Sequence, residues 1–85
     1  MDLAAAREYI RRCATQRRVI FSKHARDEMR NAGAQVEDVL NALRRHRSLV
    51  SQPKGRWKVT GPDLDDDDLD VVVDLGEGVI VVTVF

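Results

Sequence analysis

The sequence holds one cysteine, Cys13, so it can close no internal disulfide and build no cage of cysteines around a metal. Cys13 is expected to pack within a helix, in a reducing compartment. Long hydrophobic runs are also missing. The longest is Val79 to Val82, followed after Thr83 by Val84 and Phe85, well short of the roughly 20 residues that cross a bilayer. The opening Met1-Asp2-Leu3-Ala4-Ala5-Ala6-Arg7 carries an acid where a signal peptide needs basic charge, and no apolar stretch follows. No membrane segment and a cytoplasmic location are therefore expected.

Other sites are excluded because their residues are absent or wrongly spaced. Gly76-Glu77-Gly78 lacks the third glycine and the following helix of a dinucleotide site, and it sits where a hairpin is needed. His24, His46 and one cysteine do not make a spaced zinc set. Asp63 to Asp70 lacks the glycine and closing glutamate of a calcium loop. No metal and no cofactor are expected. Cys13 has no histidine near it in sequence to make it a nucleophile.

The last 25 residues contain no base at all. Of the 14 basic and 14 acidic residues, residues 1–60 hold every Lys and Arg with only six acids, a local balance of +8; the remaining eight acids give residues 61–85 a balance of −8. That asymmetry fits either a basic functional face or two halves that neutralise each other across the fold.

Eighty-five residues supply apolar side chains for a single core, hence one domain. Leu3, Ala6, Ile10 and Cys13 mark an amphipathic helix capped by Asp2. Val19 to Phe21 reads as a short strand or extended link. Ser22 caps a second helix from about Lys23, with Ala25, Met29 and Ala32 as its buried stripe and Gly33 as its stop. A third helix follows Gln35, with Val36, Val39, Leu40 and Leu43 on one face. The apolar period then falls to two around Leu49–Val50, Trp57–Val59, Leu69–Leu75 and Val79–Phe85, which predicts strands. Turns are expected at Pro53-Lys54-Gly55 and Gly76-Glu77-Gly78, and a longer polar loop at Gly61–Asp68. The last strand, apolar on both faces, is expected inside the sheet. The fold class that follows is α+β, with two or three N-terminal helices on one face of an antiparallel meander of three to four strands.

A basic set interrupted by one aromatic carries the chemistry: Lys23, His24, Arg26 and Arg30 on the second helix, and Arg56, Trp57 and Lys58 on a strand. Alternation turns Arg56, Lys58 and Thr60 to the face opposite Trp57 and Val59. Metal-free cleavage of RNA needs a base for the 2′-hydroxyl, an acid for the leaving oxygen and cations for the charged transition state. An unperturbed imidazole ionises near neutrality, and the one histidine of the set, His24, is therefore the candidate for proton transfer. Its alternative is a structural residue four positions before Glu28. Arg7, Arg11 and Arg12 read as a solvated helix face, and Trp57 reads as core before it reads as a platform for bases.

Four segments taken together are similar to a small bacterial domain family related to the RelE-like superfamily of toxins, which includes the MqsR-type and BrnT-type mRNA interferases. They are Phe21-Ser22-Lys23-His24-Ala25-Arg26-Asp27-Glu28-Met29, Val36-Glu37-Asp38-Val39-Leu40, Gly55-Arg56-Trp57-Lys58-Val59 and Val79 to Phe85. The resemblance covers residues 21–85 and leaves 1–20 as an N-terminal helix extension. In that family's pattern of His-Ala, two variable residues and Arg-Met, Glu28 stands at the arginine, and Gly33-Ala34-Gln35 replaces the usual Gly-Ile-Ser. The resemblance implies a RelE-like, microbial-RNase-like fold and a metal-independent endoribonuclease of a type II toxin-antitoxin pair. Such an enzyme acts on mRNA, free or on the ribosome, and is neutralised by a protein antitoxin. His24 would be its acid or base. Lys23, Arg26, Arg56 and Lys58 would steady the developing charge, and Arg30, Trp57 and Thr60 would contact RNA. The alternative is a module of the same fold without catalysis, which binds a protein partner or assembles with its own copies.

Overall fold

In a computed structural model describing all 85 residues, three helices cover one face of a five-stranded mixed sheet. The first helix, α1 (Leu3–Thr15), starts where the Asp2 carboxylate accepts from the Ala5 N–H at 2.8 Å, as the N-cap pattern predicts. It buries Ala6, Ile10, Cys13 and Ala14, while Leu3 is largely exposed. Strand β1 (Val19–Phe21) turns Val19 and Phe21 toward the core and leaves Ile20 61% exposed on the other face. Ser22 then caps α2 (Lys23–Ala32) by accepting from the Ala25 N–H, and its hydroxyl donates to the Val82 carbonyl. Gly33, at φ 72°, ends α2 in the left-handed conformation that a side chain would resist.

Helix α3 (Val36–Arg44) seats Val39, Leu40, Ala42 and Leu43 against the sheet. The Asp38 carboxylate accepts from the Gln35 N–H at 2.9 Å and from the Leu64 N–H at 3.0 Å, so one side chain caps the helix and anchors the acidic loop. Those two donors hold the Asp38 pKa below the usual carboxylate range. Strands β2 (Ser48–Ser51), β3 (Trp57–Pro62), β4 (Asp68–Gly76) and β5 (Gly78–Val84) form the meander. In space the order is β1-β5-β4-β3-β2. One hydrophobic cluster of 17 residues draws on all three helices and on β2 to β5, so α1 belongs to the same core as the rest. No helix is long and apolar enough to cross a membrane.

The sequence reading placed three to four antiparallel strands in the sheet and read Val19–Phe21 apart from them, as a short strand or extended link; it is a strand, β1, and joins the sheet as a fifth, parallel to β5 with Val19 beside Val79. Three residues are too few to show a period, and their partner lies far along the chain. As expected, β5 is interior, between β1 and β4. The loop expected over Gly61–Asp68 is shorter, because Gly61 and Pro62 continue β3 opposite Leu69 and Asp68. Ala32 and Val36, expected in buried stripes, are exposed. Ala34 packs against the core beside them.

Tyr9 fixes α1 to the β4–β5 hairpin, since its hydroxyl donates to the Gly76 carbonyl and accepts from the Gly78 N–H. Helix lies directly on sheet at Gly61, where a Cβ would lie 2.2 Å from the Ala42 carbonyl oxygen. The obstacle is helix backbone, which cannot rotate away as a side chain would. Gly61→Ala should therefore destabilise the protein by about 3 kcal/mol, the upper end of the usual cost of overpacking, read from its urea unfolding midpoint.

Candidate functional site

Sheet alternation places Lys58, Thr60, Asp70, Val72, Asp74 and Ile80 on the face that no helix covers. Arg56, just before β3, approaches the Asp74 carboxylate at 3.4 Å. Thr60 donates to Asp70 at 2.5 Å. These are cross-strand pairs, and they place two carboxylates within the expected basic stripe. Lys58 has no carboxylate partner; its Nζ lies 5.7 Å from the centre of the Phe85 ring, where the ring's negative face attracts it. Trp57 faces the helices and packs against the core.

On α2, successive residues turn by about 100°, which sorts its polar groups onto separate flanks. Ala25 and Met29 face the core. His24 and Glu28 share the neighbouring flank, with Nε2 3.3 Å from Oε1. Lys23 and Arg30 both pair with Asp27 on the outer flank, at 3.2 and 3.5 Å. Arg26 is exposed there with no ion-pair partner.

Glu28 links α2 to the sheet. Its Oε1 accepts from the Val84 N–H at 3.0 Å. Strand N–H groups lie in the plane of the sheet, so the carboxylate occupies the place beside β5 where β1, three residues long, no longer runs. Glu28 thus satisfies the backbone of an interior strand. A continuous set of contacts runs from His24 through Glu28 to Val84, and from the adjoining Phe85 to Lys58. The backbones of Lys58 and Thr83, two strands apart, are about 10 Å from one another.

His24 and Lys58 therefore flank the Val84–Phe85 segment, whereas Lys23, Arg26 and Arg30 point outward from α2 and Arg56 is tied to Asp74. His24 is 69% exposed and lines neither of the two surface hollows. One hollow, about 460 Å³, is lined by Leu3, Ala4, Arg7, Glu8 and Arg11. The other, about 300 Å³, is lined by Met1, Ser51, Gly55, Trp57 and Leu75. No cluster of His, Cys, Asp or Glu is placed to hold a metal ion.

Two groups that sequence reasoning passed over stand out. Arg7 and Arg11, read as a solvated face, line the larger hollow. His46 is 2% exposed, its Nδ1 donates to the Leu43 carbonyl at 2.7 Å, and its Nε2 is buried with no partner. Nothing in the spacing around His46 marks it as interior; it lies beneath the α3–β3 contact at Gly61.

No family model, no curated protein and no solved structure matches the chain.

Glu28→Gln, which keeps an acceptor oxygen, should retain most of the stability, whereas Glu28→Ala and Glu28→Arg should each lose about 1–3 kcal/mol in urea unfolding by orphaning the Val84 N–H. Burial, and then the charges of Arg11 and Arg7, press the His46 pKa below its ordinary value, against the opposing pull of the Leu43 carbonyl. The unfolded chain consequently binds a proton that the folded one refuses. Stability should be full above about pH 6.5 and fall as the pH drops below it, and His46→Phe should flatten that slope in urea midpoints measured from about pH 8 to 5.

Proposed function

We propose that the protein is a RelE-like, toxin-type endoribonuclease domain that cuts mRNA without a metal and is held in check by a protein antitoxin. The observation that carries this reading is the pairing of His24 with Glu28 at the sheet edge, with Lys58 on the far side of the Val84–Phe85 segment and unpaired. The motif set spanning residues 21–85 supports it.

The chemistry follows from which imidazole nitrogen is engaged. Nε2 faces the Glu28 carboxylate, so the neutral ring keeps its proton there and leaves Nδ1 free to accept one. Nδ1 takes the proton of a ribose 2′-hydroxyl. The oxygen attacks the adjacent phosphorus, the bond to the 5′-oxygen breaks, that oxygen takes a proton from solvent water, and the imidazolium then returns its own proton to solvent. The products are a 2′,3′-cyclic phosphate and a 5′-hydroxyl end. Lys58 is the cation beside the Val84–Phe85 segment free to meet phosphate; Arg26 is unpaired but on the outer flank of α2, and Lys23, Arg30 and Arg56 must first release an aspartate.

A second reading is favoured by those same ion pairs and by the open surface around His24: a module of this fold that binds a protein and cuts nothing. Long mRNA incubated with the purified protein in EDTA, with and without ribosomes, separates the two. Fragments with cyclic-phosphate ends, lost in His24→Ala and reduced in Lys58→Ala, are the expected result. RNA left intact under both conditions rejects cleavage and leaves the binding module.

A further inference from the structure

The edge of the sheet farthest from His24 is β2, and its outer backbone is free. Gln52 donates its N–H inward to Arg56 at 2.8 Å, in register with the β2–β3 ladder. Alternation along an antiparallel strand then turns the N–H and C=O of Leu49 and Ser51 outward. The Ser51 carbonyl is met only by the Gln52 side chain, at 3.4 Å. Beside this edge runs the flank of α1 that bears Arg7 and Arg11. Arg11 donates to the carbonyl of His46, two residues before β2, at 3.2 Å, which fixes that flank on the β2 side of the molecule. The larger hollow lies along it, with Leu3 and Ala4 as its apolar wall, and the smaller one opens at Ser51. Neither Arg7 nor Arg11 has a carboxylate partner, whereas Glu8, which shares the hollow, is 4.0 Å from Arg12.

We infer that β2 and this flank of α1 form a docking edge for an extended acidic segment of a partner protein, which adds to the sheet as a sixth strand. Backbone bonds to Leu49 and Ser51 supply the pairing, as in strand addition generally. Side chains on the helix side of the added strand lie along Arg7 and Arg11, so acids are selected and bases repelled. A second copy of the chain is disfavoured as occupant, because pairing two β2 edges about a two-fold axis sets this basic flank against itself. The inference does not rest on nuclease activity, since β2 and His24 lie at opposite edges of the sheet.

The test uses ¹H–¹⁵N spectra of the full chain titrated with a blocked hexapeptide of alternating Glu and Val and, separately, with its Lys–Val counterpart. The expected result is saturable shifts centred on the Leu49 and Ser51 amides with the acidic peptide at millimolar concentration, and binding weaker by about tenfold or more for the basic one. Arg7→Glu combined with Arg11→Glu should reverse that preference. Ser51→Pro, which removes an outward N–H and leaves the inner ladder intact, should abolish the shifts. Equal response to both peptides, shifts centred elsewhere, or no shifts at all would overturn the inference. Concentration-dependent broadening at β2 without peptide would overturn it too, in favour of self-pairing.

Discussion

The architecture depends on how closely one helix can lie on one strand. At Gly61 the backbone of β3 meets the Ala42 carbonyl of α3 with no room for a side chain between them. That approach draws the start of β2 under the end of α3 and buries His46 there, because the chain must turn back within Arg45, His46 and Arg47 to pair Ser48 with Thr60. Arg47, emerging from that turn, reaches Asp66 and Asp68, while Asn41 of α3 donates to the Pro62 and Asp63 carbonyls. The acidic tract is therefore fastened at several points. Of the eight acids behind the −8 balance of the last 25 residues, Asp66 and Asp68 pair with Arg47 and Asp74 with Arg56, so no single basic surface answers it.

Glu28 plays the same part at the opposite edge. A carboxylate is a good acceptor for a strand N–H that has run out of neighbouring strand, and its second interaction holds an imidazole at the surface. One oxygen atom thus connects the backbone of β5 to the position of the His24 ring. The group that orients the ring is itself fixed by backbone, not by another mobile side chain.

Local features were legible in the sequence wherever they obey local rules. Asp2 and Ser22 as caps, Gly33 as a stop, the α3 stripe from Val39 to Leu43 and the four-strand meander all follow from spacing within a few residues. The parallel pairing of β1 did not: Val19–Phe21 reads as a short strand or extended link from its own residues, but its partner β5 lies 60 positions on. The candidate site divides in the same way. Alternation correctly set Lys58 and Thr60 opposite Val59, but the pairing of Arg56 with Asp74 depends on a register that spacing alone leaves open. Glu28 was visible as a departure from a pattern, while its bond to Val84 joins positions 56 apart in the chain.

The three-residue parallel strand has a kinetic meaning. Val19 meets Val79 across 60 positions, whereas the hairpins β2–β3 and β4–β5 close over short turns. Loop closure of that length costs entropy before any contact repays it, so the meander can assemble first and β1, with α2 behind it, docks afterward. An element that joins last through so few hydrogen bonds is also the first to open. Among the hydrogen-bonded amides of the sheet, those joining β1 to β5 will then exchange sooner than those of the meander, and His24 sits on the helix that follows directly from β1.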